Sequence, residues 1–238
     1  MISSSKSKLI RSLQQKKFRD QHHLFMIEGE KMVKELLTGG KENPYSIHEL
    51  FATPDWLERN EATLHKKGID SQEATQAEIK KVSSLITPQP VIALVTIPDL
   101  PFRIKDLLNT PVLALESIRD PGNLGTIIRT ADWFGIRHIV CTPDSADLYN
   151  HKVIQSTMGA ITRVQVNYLD LHALMTSGEM EGKTIFGTFM EGENIYGISL
   201  NPDPLILFGN ESQGLSDRLA SLVQRRITIP SFSPSGMG

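Results

Sequence analysis

Several things are scarce in this sequence, and each shortage closes a class of function. There is one cysteine, Cys141, so neither a disulfide framework nor a thiolate metal cluster can form within the chain. No apolar run approaches the roughly 18 residues that span a bilayer. The first residues are polar and basic, without the apolar stretch of a secretory signal. Together these features predict a reduced, cytoplasmic protein with no membrane partner. The seven histidines are scattered, and their one close pair, His22-His23, is adjacent rather than at ligand spacing, so no metal site is expected. No repeat or low-complexity segment is evident. The net charge of -2 argues against a wholesale polyanion binder. There is also no G-x-G-x-x-G, and no acidic residue stands convincingly at the end of a following strand. A dinucleotide-binding enzyme is therefore left without its signature.

What is present is unevenly placed. Residues 1–103 carry 15 Lys and Arg against 13 Asp and Glu, while residues 104–238 carry 10 against 14. The first 19 residues hold Lys6, Lys8, Arg11, Lys16, Lys17 and Arg19 and no acid. A local basic arm of this kind can serve as an electrostatic footprint for nucleic acid, although a solvated amphipathic helix has the same composition.

Hydrophobic spacing predicts an alternating α/β chain. "KSKLIRSLQQKKF" reads as one short basic helix. "IEGEKMVKELL" reads as a helix burying Met32, Val33, Leu36 and Leu37 and ended by Gly39-Gly40. "SIHELFAT" reads as a strand, "PDWLERNEATLHKK" and "EATQAEIKKVSSL" as helices, and "PVIALVTIP" as a buried strand. The proline-rich stretch 98–111 reads as a linker between a small α/β domain, 1–103, and a second domain, 112–238. In the second domain "VLALES", "HIVCTP", "VQVNY", "TIFGTFM", "LILFGN" and "RRITIP" read as strands. Helices fall between most of them. That alternation argues a parallel sheet with its ligand site outside the strands' carboxyl ends.

Three segments stand out. In "DPGNLGTIIRTADWFG" the spacing sets Leu124, Ile127, Ile128, Ala131 and Gly135 on one stripe facing the sheet, with Arg129 and Trp133 off it. Asn123 occupies the expected N-cap after Pro121-Gly122. Gly125, disfavoured in a first turn, suggests the close approach of a backbone or ligand. On spacing alone, an ordinary capped helix with a solvated arginine remains open. In "LILFGNESQGLS" a buried strand runs into a glycine-rich turn whose backbone groups could bind a nucleoside; taken alone, the spacing favours a plain strand-to-helix loop with Ser216 as N-cap. "RRITIPSFSPSGMG" alone is a short strand with a frayed end.

Taken in order, these segments resemble the SpoU family of RNA ribose methyltransferases, in the knotted SPOUT superfamily. "DPGNLGTIIRTADWFG" is similar to the family's first motif, "LFGNESQGLS" to its second and "ITIP" to the start of its third. "QSTMGAITRV" is similar to the Ser/Met-Gly segment between them. "KKFRDQHHLFMIEGEKMVKELL" resembles the L30e-like RNA-binding domain often found ahead of the catalytic one.

The resemblance implies a parallel sheet closed by a deep trefoil knot, S-adenosylmethionine as cofactor, RNA as substrate, and a homodimer through the catalytic domain. Carried over by position, Asn123, Arg129 and Glu211 are the catalytic set. Thr188, Phe208, Gly209, Asn210 and Ile229 fall at cofactor-binding positions. The implied reaction is methyl transfer to a ribose 2′-OH in ribosomal or transfer RNA, with 23S-type rRNA favoured. A catalytically impaired SpoU-like RNA-binding protein is the alternative. The family's third motif continues into a Ser-Leu-Asn segment that does not follow here before Gly238. An incomplete knot and weak cofactor binding are therefore expected of this form. The family's arginine at position 129 is discussed as a general base. A guanidinium stays protonated in proteins, so the expectation here is that Arg129 holds a phosphate or stabilises a developing alkoxide. On this reading the helix mouth faces RNA, and the adenosyl group sits at "FGNE" and "ITIP".

Overall fold

The basic start of the chain folds as two helices rather than one, α1 (Ser4–Ser12) and α2 (Lys16–His22). In the computed structural model, which describes residues 1–40 and 43–232, the Ser3 hydroxyl caps α1 by accepting from the Lys6 N–H at 3.2 Å. Ile10 and Leu13 are buried in a core with Phe51, Ile92 and Leu94. Arg19, expected on a surface arm, is instead only 3% exposed. Its guanidinium donates to the carbonyls of Leu13 and Gln14 at 2.9 and 3.0 Å and pairs with Asp147 at 3.2 Å. The carbonyls at the end of a helix lack intrahelical partners, and Arg19 supplies them at the break between α1 and α2.

The next strand, β1 (Leu24–Glu28), is buried along its whole length. Sequence spacing did not separate it from the following helix, α3 (Glu30–Thr38), because a short apolar run has no period of its own. Within α3, Met32, Val33, Leu36 and Leu37 are buried as expected, and Gly39 follows its last residue. Then come β2 (Ile47–Ala52), α4 (Pro54–Lys67), β3 (Ser71–Glu73), α5 (Gln76–Val82) and β4 (Val91–Thr96). Pro54 opens α4 and a left-handed Gly68 closes it. Thr75 and Glu78 form a reciprocal capping box on α5. The sheet order is β1-β4-β2-β3. β4 runs antiparallel to β1 and β2, and β3 runs parallel to β2.

Two units emerge from the contacts, and they do not follow the chain in order. The first takes in Met1–Leu100, Pro121–Thr130 and Asp147–Arg163. It therefore includes most of α6 (Pro121–Trp133) and all of α7 (His151–Thr157). Tyr149 packs on Phe25 at 4.7 Å between ring centroids, and Tyr45 on Phe25 at 5.5 Å. The backbone at Gly159 has φ +99°, and a Cβ there would meet Glu35 Cγ at 2.5 Å. Glu35 also pairs with Arg163 at 2.8 Å. The "STMGAITR" segment is thus built against α3.

The second unit takes in Pro101–Asp120, Ala131–Ala146 and the chain from Val164. Its strands are β5 (Val112–Leu115), β6 (His138–Cys141), β7 (Gln165–Tyr168), β8 (Ile185–Asn194), β9 (Leu205–Phe208) and β10 (Arg225–Thr228), with short helices α8 (Leu171–Met175) and α9 (Asp217–Ala220). The expected parallel sheet is there: the order is β10-β8-β9-β5-β6-β7, and every neighbouring pair is parallel. Its core joins Val112, Ala114, Val140, Leu205 and Leu207 of the strands to Leu171, Leu174 and Leu219 of α8 and α9. Leu107, in the stretch expected to be a linker, lies fully buried in that core. Residues 233–238, expected to form a frayed end, lie outside the described residues.

Candidate active site

The helix α6 begins three residues earlier than its spacing predicts, at Pro121 rather than Leu124. Its first residue is Pro121, which suits that position because proline presets φ and lacks an N–H that would go unpaired there anyway. Asn123 is therefore not the N-cap but the third residue of the helix, and its side chain is exposed. Leu124, Ile128 and Ala131 are buried, as the stripe predicted. Ile127 is half-buried and Gly135 exposed, because the helix ends at Trp133. Arg129 is exposed, and Trp133 and Phe134 after it are 85% and 72% exposed. The reason for Gly125 is a neighbouring helix. A Cβ there would lie 2.4 Å from Ser156 Cβ and 2.7 Å from the Val153 carbonyl oxygen of α7.

The second motif forms a closed turn at the end of β9. Asn210 and Gly214 exchange backbone hydrogen bonds at 3.0 and 2.9 Å. The Asn210 side-chain oxygen accepts from the N–H groups of Ser212 and Gln213 at 2.9 and 3.1 Å. A Cβ on Gly209 would meet Gly214 C at 2.2 Å and the Leu215 nitrogen at 2.4 Å, so only glycine fits this turn. Glu211 stands exposed at its tip, 3.3 Å from Asn210 Nδ2. Ser216 caps α9, as its spacing predicted.

Two residues that sequence reasoning did not single out clamp this turn from just past the end of β5. Glu116 accepts from the Ser216 N–H at 2.9 Å, and the Ser117 carbonyl accepts from Asn210 Nδ2 at 2.8 Å. Neither carries a sequence signal, because the pairings span about a hundred residues and arise only from the adjacency of β5 and β9.

The sheet also gathers the expected cofactor positions. β10, β8 and β9 are consecutive neighbours. Gly187 pairs with Leu207, which sets Thr188 level with Phe208, and the Thr188 hydroxyl donates to the Leu207 carbonyl at 3.1 Å. Ile229 follows the end of β10 and is 59% exposed. Phe208, Gly209 and Asn210 thus lie at the carboxyl end of β9, Ile229 just past that of β10, and Thr188 inside β8 level with the end of β9, on three adjacent parallel strands of one unit. The donor set suits an adenosyl group. It offers backbone groups of a tight turn, a hydroxyl and an exposed apolar side chain at strand ends. Asn123 and Arg129 lie on the part of α6 that clusters with the other unit.

The basic residues of the amino-terminal helices differ in their environments. Lys8, Arg11 and Lys17 are exposed. Lys6 pairs with Glu49 at 2.5 Å, and Lys16 pairs with Asp20 and Asp147 at 2.9 and 3.4 Å. Cys141 is fully buried, and desolvation pushes its thiol up to about 12, which removes the one thiol as a nucleophile. Among the described residues no three His, Cys, Asp or Glu side chains gather as metal ligands, and no helix is long and apolar enough to cross a membrane.

Comparison with known proteins agrees with this geometry. Residues 110–235 match the model of the SpoU rRNA Methylase family, and residues 5–93 match that of the MRM3-like substrate binding domain. The 23S rRNA (guanosine(2553)-2'-O)-methyltransferase RlmP of Bacillus subtilis is 27% identical over 97% of this chain and 90% of its own length. Among solved structures, a TrmH-family protein from Porphyromonas gingivalis is 32% identical, covering 98% of this chain and 91% of its own, with a TM-score of 0.83. An rRNA methyltransferase from Sinorhizobium meliloti, solved with AdoMet bound, is 27% identical over 99% of this chain and 90% of its own, with a TM-score of 0.81.

Proposed function

The chain belongs to the SpoU rRNA methylase family, whose members are S-adenosylmethionine-dependent RNA methyltransferases, and on that premise we propose that it methylates a ribose 2′-OH of ribosomal RNA. The observation that carries the reading is the gathering on three adjacent parallel strands of Thr188, inside β8 and level with the end of β9, Phe208, Gly209 and Asn210 at the carboxyl end of β9, and Ile229 just past β10. The 2′-O position and the preference for rRNA over tRNA are supported by the likeness to RlmP along nearly the whole chain. The domain assignment follows: residues 1–103 hold the RNA, and residues 112–238 carry catalysis. We place the enzyme in the cytoplasm, as a homodimer through a knotted catalytic domain.

Bound S-adenosylmethionine supplies an electrophilic methyl group. The chain's own residues must seat the ribose, order the turn that holds the cofactor, and manage the proton of the 2′-OH. The Gly209–Ser216 turn does the second through its closed backbone pairs. Glu211 at its tip is an acceptor that orients a donor of the substrate or of a neighbouring side chain. Asn123 is exposed in the first turn of α6 and Arg129 farther along it. Asn123 offers both donor and acceptor, and the Arg129 guanidinium offers two parallel N–H groups to a phosphate or to the oxyanion that develops on the ribose. Lys8, Arg11 and Lys17, with Lys6 and Lys16 exchanging their carboxylate partners for phosphates, supply the electrostatic footprint. Arg19 takes no part, because it is buried and committed to α1.

The test is incubation with labelled S-adenosylmethionine and separate rRNA and tRNA pools, followed by mapping of 2′-O-methyl sites. Label in rRNA ribose is expected. Arg129→Ala and Arg129→Lys should both abolish turnover, since a lysine cannot make the paired contact. Substantial Arg129→Lys activity at raised pH would overturn the electrostatic role. Tight RNA binding without label in either pool would favour the impaired RNA-binding protein.

A further inference from the structure

The residue after Glu116 has an unusual backbone. Ser117 has φ +55°, in the left-handed region that side chains other than glycine, asparagine and aspartate seldom occupy. Nothing local explains it, but its hydrogen bonds do. The Ser117 N–H donates to Thr142 Oγ1 at 2.8 Å, its hydroxyl donates to Asp144 Oδ2 at 2.6 Å, and its carbonyl accepts from Asn210 Nδ2 at 2.8 Å. Every polar atom of Ser117 is taken. Asp144 is the anchor of the set. Its other oxygen accepts from Thr142 Oγ1 at 2.6 Å, and Arg119 approaches Oδ2 at 3.3 Å. One carboxylate thus ties the loop after β5 to the loop after β6 and holds the Ser117 carbonyl facing the second-motif turn.

We infer that Asp144 is a positioning residue for methyl transfer: it holds Ser117 in its left-handed conformation so that the Ser117 carbonyl fixes Asn210, and with it the Gly209–Ser216 turn and Glu211. In this role Asp144 needs no contact with cofactor or substrate; its effect passes through two hydrogen bonds within one unit, Ser117 Oγ to Asp144 and Asn210 Nδ2 to the Ser117 carbonyl. The hydrogen bonds from Ser117 and Thr142 also hold the Asp144 carboxyl below its ordinary range, so at neutral pH the anchor is charged and accepting. The inference rests on the reading above, in which this turn carries the cofactor and catalytic positions.

The test uses the full chain and three readouts: S-adenosylmethionine affinity by calorimetry, RNA affinity with total rRNA, and single-turnover methylation at saturating cofactor and rRNA. Asp144→Ala should weaken cofactor affinity and slow single turnover by about tenfold each, the scale of one lost hydrogen bond to a charged group. RNA affinity should stay within about twofold, because positioning of the turn leaves phosphate contacts alone. A general structural role would lower all three together. Glycine adopts the left-handed conformation without an anchor, so on a Ser117→Gly background Asp144→Ala should cost less than about twofold. The 15N side-chain amide signal of Asn210 should move in Asp144→Ala and move no further when Asp144→Ala is added to Ser117→Gly. Full, additive losses on the two backgrounds would overturn the inference, as would an Asp144→Ala enzyme with unchanged cofactor affinity and rate. Glu211→Gln separates the two levels. If Glu211→Gln abolishes turnover while Asp144→Ala does nothing, the positioning role alone fails. If Glu211→Gln is fully active, the assignment of the turn fails, and the role of Asp144 with it.

Discussion

Gly125→Ala is a change that two well-known effects push in opposite directions, so its sign tests the packing. Alanine favours a helix interior over glycine by about 1 kcal/mol, and Gly125 is the fifth residue of α6. With nothing beside it, the substitution would stabilise the protein. The new methyl group, however, would lie 2.4 Å from Ser156 Cβ and 2.7 Å from the Val153 carbonyl oxygen, where ordinary contact begins at 3.4 Å. Relief would require α6 and α7 to separate by close to 1 Å, and overpacking of that kind costs about 1–3 kcal/mol. Subtracting the propensity gain leaves a net loss of up to about 2 kcal/mol. Urea unfolding at pH 7 would read it as a lower midpoint at unchanged slope. The Ser156→Gly background removes one clash but leaves the Val153 carbonyl in place. It should therefore restore part of the loss and not all of it. A Gly125→Ala protein more stable than the parent by the full helix-propensity increment would refute the claim that α6 and α7 touch along this line. The stake is functional, since α6 carries both Asn123 and Arg129.

Other consequences are equally measurable. Ile10 and Leu13 are buried, so deleting the basic start would unfold core. Neutralising Lys8, Arg11 and Lys17 to Gln is the cleaner probe of RNA contact, and should reduce the slope of log affinity against log salt by about two units; an unchanged slope would remove these helices from the interface. Burial lowers His138 and His151 below their ordinary value of 6.5. Their neutral forms are favoured in the folded state, so their contribution to stability is full above about pH 6.5 and is lost as pH falls through the lowered folded values. The unfolding midpoint should drop below pH 6.5, and His151→Gln should flatten that drop. Cys141, fully buried and pushed up to about 12, should resist iodoacetamide at pH 8 in the folded protein and react once it is unfolded.

Much of this protein is legible along the chain because the signals are local. The parallel sheet follows from strands that alternate with helices, and the α4 boundaries follow from Pro54 and Gly68, whose backbone preferences act within one residue. The ordered motifs around Arg129, Glu211 and Ile229 identify the family for the same reason: each is a contiguous stretch. Where the sequence misled, tertiary contacts decided. Asn123 has the chemistry of an N-cap, but Pro121, two residues before it, already starts the helix. Arg19 looks like part of a basic arm, yet unpaired carbonyls at the end of α1 and the distant Asp147 draw it inside. β1 has no period to read, and β3 is three polar residues that become a strand only by pairing with β2. The sequence by itself determined the fold class, the family and the order of the site segments. Only the tertiary structure decided which atoms hold the second-motif turn, because Glu116 and Ser117 meet it through the adjacency of parallel strands, across about a hundred residues of chain, and Asp144 in turn holds Ser117.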